Sequence, residues 1–105
     1  MKIINTVKEF IKLAKVGGYE INPKDAEMML GYFEGHGYEI RISDAGVPYT
    51  GYWEEWDDDF MEVDFGEILN MVINWNDELI QYEENPVQLE VLKRDEMVLD
   101  KIYNQ

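Results

Sequence analysis

The chain has no cysteine. Disulfides, thiolate zinc sites, iron–sulfur clusters and a cysteine nucleophile are all excluded by that one absence. It has one histidine, His36, and one serine, Ser43. A Ser–His or Thr–His pair needs a base, a nucleophile and a third group to orient the base. Nothing in the spacing links His36 to Ser43, Thr6 or Thr50, so His36 is expected in the turn that follows a helix. No stretch matches G-x-G-x-x-G or G-x-x-x-x-G-K-[ST], so a phosphate-cradling glycine loop is missing too. Apolar runs extend only a few residues, against the roughly 20 that a membrane span requires. The start, Met1-Lys2-Ile3-Ile4-Asn5, turns polar too early for the apolar region of a signal peptide, and a cytoplasmic protein is expected.

Basic residues are also scarce. The chain carries 23 acids against 9 bases, a formal charge of −14. The placement is uneven. Residues 1–53 hold seven acids and six bases, and residues 85–105 hold four and three. Residues 54–84 hold twelve acids and no lysine or arginine. Such a field repels DNA, RNA and anionic membranes and attracts basic surfaces.

What is present is ordinary for a folded domain. With 105 residues and 46% apolar content, the chain suits one compact domain over 1–105. Thr6-Val7-Lys8-Glu9 fits a capping box, with Val7, Phe10, Ile11 and Ala14 following at helical spacing until Gly17-Gly18. Asn22-Pro23 opens a second helix carrying Ala26, Met29, Leu30 and Phe33, which Gly35-His36-Gly37 stops. Tyr38 to Ile42 alternates as a strand, Ser43-Asp44-Ala45-Gly46 turns, and Pro48 to Trp53 returns. Phe60 to Asp64 reads as a third short strand. Asp64-Phe65-Gly66-Glu67 is a second capping-box start. Ile68, Val72, Trp75, Leu79 and Tyr82 then form the apolar stripe of the strongest helix. Asn85-Pro86 starts the last helix, with Val87, Val91, Val98 and Ile102 on one side. The expected fold is α+β, in the order α-α-β-β-(β)-α-α, with a small antiparallel sheet packed against helices.

Asp57-Asp58-Asp59 invites a metal reading, because hard cations take oxygen ligands. The calcium-loop pattern is absent, however, and consecutive acids in extended chain point apart. A solvated acidic loop is expected instead, with no metal and no cofactor. Carboxylates are so abundant that a chance pair says nothing about acid–base catalysis, and no enzyme is expected.

The remaining constellation is an aromatic run entering an acidic one. Tyr52, Trp53, Glu54, Glu55, Trp56, Asp57, Asp58, Asp59, Glu62 and Asp64 form the expected partner-binding set, with Tyr49 just before them. Aromatics anchor interfaces and acids steer and register a basic partner. Strand alternation prevents Tyr52 and Trp53 from both facing inward, so at least one large aromatic should be exposed beside the acids. Residues 54–64 hold seven acids in eleven positions. Extended, that is about one charge per 5 Å, against one per about 1.7 Å in duplex DNA. Imitation of a nucleic acid would therefore need Asp77, Glu78, Glu83 and Glu84 on the following helix as well.

In size, charge and lack of catalytic machinery the chain resembles the small acidic proteins of phages and mobile elements, the anti-CRISPR proteins among them. That resemblance implies a protein-binding inhibitor that presents carboxylates to a basic nucleic-acid-binding protein, such as a CRISPR effector nuclease, and blocks its DNA or guide RNA. Two other readings compete with it. One is a non-catalytic adaptor or antitoxin-like neutraliser of a basic partner, and the other is a small enzyme or metal protein.

Overall fold

The computed structural model describes residues 2–52, 54 and 60–105. Its elements are β1 (Lys2–Ile3), α1 (Val7–Val16), α2 (Pro23–Gly35), β2 (Tyr38–Ile42), β3 (Pro48–Tyr52), β4 (Met61–Glu62), α3 (Phe65–Tyr82) and α4 (Pro86–Tyr103). The strands form one antiparallel sheet in the order β1-β2-β3-β4. This is the expected α+β order with one strand added at the front. Lys2 and Ile3 pair with Ile42 and Arg41, and two residues are too few to show alternation in a sequence.

Each helix starts where its cap chemistry places it. The Thr6 hydroxyl accepts from the Glu9 amide, and Asn22 Oδ1 accepts from the Asp25 amide at 2.8 Å. Asp64 and Glu67 complete a reciprocal capping box, with the Glu67 amide donating to Asp64 Oδ1 at 2.7 Å. Asn85 Oδ1 accepts from the amides of Val87 and Gln88. Each such cap contributes about 1 kcal/mol by satisfying amides that have no partner inside the helix. His36 is itself the C-cap of α2, and Gly37 after it takes φ 72°, a left-handed conformation that favours glycine.

One face of the sheet lies on the helices. Ile40 and Thr50 sit opposite each other in the β2–β3 register and are both buried. The Thr50 hydroxyl donates to the Glu39 carbonyl at 2.8 Å, so its burial leaves no polar atom stranded. Glu39 and Arg41 alternate onto the other face, where they form an ion pair at 2.7 Å. Arg41 also lies over the Phe60 ring, 4.8 Å from its centroid.

The core gathers Phe10 and Ala14 of α1, Ala26, Met29 and Phe33 of α2, Ile40 of β2, Ile68, Leu69 and Val72 of α3, and Leu99 and Ile102 of α4. Two apolar stripes outrun it. Leu79 and Tyr82 of α3 continue the core-facing spacing yet are 40% and 75% exposed. Val87 and Val91 of α4 are 69% and 41% exposed. The apolar stripes of α3 and α4 are thus bare at the α3–α4 hairpin tip.

Candidate functional site

The expected partner-binding set begins at the end of β3. Tyr52 pairs with Tyr38 across the strands, and their rings stand 4.4 Å apart. Tyr38 meets the edge of Trp75 on α3 at 5.1 Å, and Trp75 in turn meets Phe33 at 5.0 Å. Phe33 is buried and Tyr52 is 45% exposed. A continuous line of rings therefore runs from the core to the surface and ends where the acidic run begins. Rings supported this way lose little conformational freedom on binding, which suits them as anchors.

His36 closes the other side of this line. Its ring stacks on Trp75 at 4.4 Å and 12°. Its Nδ1 lies 2.7 Å from the Tyr32 carbonyl, a geometry in which Nδ1–H donates to that oxygen. The Ser43 hydroxyl is taken up as acceptor from the Val47 amide inside its own turn. The two side chains serve separate turns, one capping α2 and one closing the β2–β3 connection.

Of the ten residues in the set, Tyr52, Glu54, Glu62 and Asp64 are described. Trp53, Glu55, Trp56, Asp57, Asp58 and Asp59 lie outside the described residues. Glu54 and Glu62 are exposed, and Glu62 stands opposite Tyr49 in the β3–β4 register. Asp64 is exposed as well, but its carboxylate holds the first turn of α3. The positive end of the helix dipole partly offsets both it and Glu67. Those two acids thus serve the fold first, a role already legible in their D-x-x-E spacing.

On α3, Glu67, Asn70, Asn74, Asp77 and Glu78 are exposed at helical spacing. Glu67, Asn70 and Asn74 line a cleft of about 520 Å³ between α3 and the β3–β4 edge, together with Tyr38, Tyr52, Met61 and Met71. Sequence reasoning did not single out this cleft, or Tyr38 and Trp75. Their only signal was aromatic character on elements assigned to the core. Among the described residues no group of three His, Cys, Asp or Glu could hold a metal ion, and no helix is long and apolar enough to cross a membrane.

No protein-family model, curated protein or solved structure matches this chain.

The ion pairs formed between described residues, Lys2–Glu9, Glu39–Arg41 and Glu90–Arg94, all use acids outside residues 54–84. Twelve carboxylates in that stretch repel one another, and salt screens such repulsion over about 10 Å at 0.1 M. The melting temperature is expected to rise by several degrees from low to moderate sodium chloride, about 4 °C per roughly 1 kcal/mol for a domain this small. A melting temperature indifferent to salt would mean that the acids are spread too far apart in the fold to act as one field.

Proposed function

We propose that this chain is an acidic protein-binding inhibitor of the anti-CRISPR type, one that covers the basic nucleic-acid-binding surface of a CRISPR effector nuclease. The observation that carries the reading is the stretch of twelve acids with no base, entered through an exposed, ring-supported Tyr52. Charge of one sign at this density speeds the encounter with a basic surface and rejects nucleic acid itself. Rings beside it supply contact area that slows dissociation. Asp77 and Glu78 are exposed on α3, which supplies further carboxylates to a reading for which residues 54–64 are too sparse alone.

The test uses purified effector nucleases, with and without guide RNA and target DNA, against wild type and the Asp57→Asn, Asp58→Asn, Asp59→Asn triple variant. Binding is expected to the nuclease free of target, with displacement by target DNA or by guide RNA. The triple variant should associate about tenfold more slowly, with a flatter dependence on sodium chloride. Wild-type affinity and salt slope in that variant, or binding indifferent to nucleic acid, would end the reading. The adaptor or antitoxin-like neutraliser would then take its place.

A further inference from the structure

Helix α2 lies in the groove between α3 and α4. Tyr32 of α2 donates its hydroxyl to Asp95 Oδ2 on α4 at 3.0 Å, and Phe33 and His36 pack against Trp75 on α3. The α2 helix ends at Gly35, but the groove does not. Leu79 and Tyr82 follow Trp75 at i+4 and i+7, on the same side of α3. Val91 and Val87 precede Asp95 at i−4 and i−8, on the same side of α4. The Asn76 amide donates to the Leu92 carbonyl at 2.9 Å, which sets the antiparallel register and brings these two pairs level near the hairpin turn. All four side chains are exposed, by 40–75%. The hairpin is thus covered by α2 at Trp75, Asn76 and Asp95, and its apolar side chains beyond them are left bare.

The surroundings of this bare stretch are negative. Glu78, Glu84 and Glu90 are exposed around it, Glu83 is half-buried in the turn, and Glu34 is exposed on the last turn of α2. Of the two bases on the adjoining turn of α4, Lys93 and Arg94, Arg94 stands 3.9 Å from Glu90. Neither α2 nor α3 has a basic residue in its last turn. A second copy of a chain with charge −14 is a poor occupant for such a site.

We infer that the α3–α4 hairpin tip is a docking groove for a cationic amphipathic helix of another protein, which continues the line of α2 and covers Leu79, Tyr82, Val87 and Val91. The mode is a helix laid in a groove, with apolar anchors at i, i+3/i+4 and i+7 spacing and lysines or arginines toward the acidic rim. The inference stands on the uncovered groove, not on residues 52–64, and holds whether or not the partner binds nucleic acid.

The probe is a leucine–lysine amphipathic peptide of about five helical turns. Two controls accompany it, a lysine–glutamine peptide of equal charge without the apolar stripe and a leucine–glutamate peptide. Titration is followed by amide chemical shifts and calorimetry. The leucine–lysine peptide is expected to bind and to shift residues of the hairpin tip and of the last turn of α2. The Leu79→Asn/Val91→Asn variant should bind at least tenfold more weakly. So should Tyr82→Ser/Val87→Ser, whose positions are too exposed to endanger folding. The Asp57→Asn, Asp58→Asn, Asp59→Asn variant should bind the peptide like wild type, which keeps this result separate from the effector-binding reading. Equal binding of the lysine–glutamine peptide would reduce the effect to general charge attraction and overturn the inference. So would absence of binding at millimolar peptide, or shifts confined to the β3–β4 cleft. Sedimentation showing a dimer that the tip variants disperse would replace the partner helix with a second copy.

Discussion

Replacing Asn76 by aspartate is expected to destabilise the protein by about 3–5 kcal/mol at neutral pH, a large part of the 5–15 kcal/mol available to a domain of this size. Asn76 is 1% exposed, at the point where α2, α3 and α4 meet. Its Nδ2 donates to the Tyr32 hydroxyl and to the Leu92 carbonyl, both at 2.9 Å. Tyr32 passes the chain on to Asp95. Aspartate has the same shape but no donor. Its carboxylate would face the Leu92 carbonyl, an acceptor, and would compete with Asp95 for the single Tyr32 proton. Burial already raises the Asp95 carboxyl above the ordinary carboxylate range, with the Tyr32 hydrogen bond acting the other way. Burial likewise pushes Tyr32 up to about 12, so it stays a donor throughout the working range.

The sign of the pH dependence follows. A carboxyl introduced into this site has its folded pKa raised, so it favours the folded state below its unfolded pKa. That contribution is lost as pH rises through the folded value. Urea midpoints of Asn76→Asp should therefore fall far below wild type at pH 7 and close on it toward pH 4. Asn76→Leu separates charge from shape. Tyr32 keeps Asp95 as acceptor, and the Leu92 carbonyl keeps its partner inside α4, so the cost should be about 1 kcal/mol and independent of pH. Equal midpoints for Asn76→Asp and wild type at pH 7 would mean that water reaches the site.

Asn76 also shows what a periodic reading can and cannot find. The caps were legible because they are local: Thr6 with Glu9, Asn22 with Pro23, Asp64 with Glu67 and Asn85 with Pro86 each act within four residues. The β2–β3 hairpin was legible because alternation and a turn coincide. A polar residue inside a core stripe was not, because the partners of Asn76 are 44 and 16 residues away. The exposure of the hairpin tip was not legible for a related reason. Periodicity reports the face of a helix that is apolar, but not the length of the neighbour that covers it. Leu79 and Tyr82 keep the spacing of Ile68 and Val72, and only the end of α2 at Gly35 leaves them bare. For the candidate site, the charge was legible in full, because formal charge needs no fold. The ring line through Tyr38 and Trp75 was not, since it joins a strand to a helix 37 residues later in the chain.

Phe65→Ala is expected to cost about 3–5 kcal/mol, and its origin can be separated from that of a second substitution beside it. Phe65 is the first residue of α3 and is 2% exposed. Its ring meets Phe10 of α1 edge-on at 5.4 Å and Tyr19 at 5.3 Å. Truncation leaves a cavity between α1, the α1–α2 connection and α3, and removes two aromatic contacts. Gly17, the C-cap of α1, backs onto the same point. A Cβ at Gly17 would lie 2.7 Å from Phe65 Cβ, closer than real Cβ atoms come. Its φ of −80° suits any residue, so the difficulty in Gly17→Ala is contact alone. Overpacking of about 1–3 kcal/mol should outweigh the 0.4–1 kcal/mol or so that alanine returns through a less flexible unfolded chain. The atom in the way is a Cβ, fixed to the backbone of α3, and alanine at position 65 retains it. Urea denaturation of both single variants and the double variant should therefore show costs that add, with coupling below about 0.5 kcal/mol. Phe65→Gly, which removes that Cβ, should lessen the cost of Gly17→Ala where Phe65→Ala does not. A Gly17→Ala variant as stable as wild type would mean that α1 and α3 stand farther apart than these positions require.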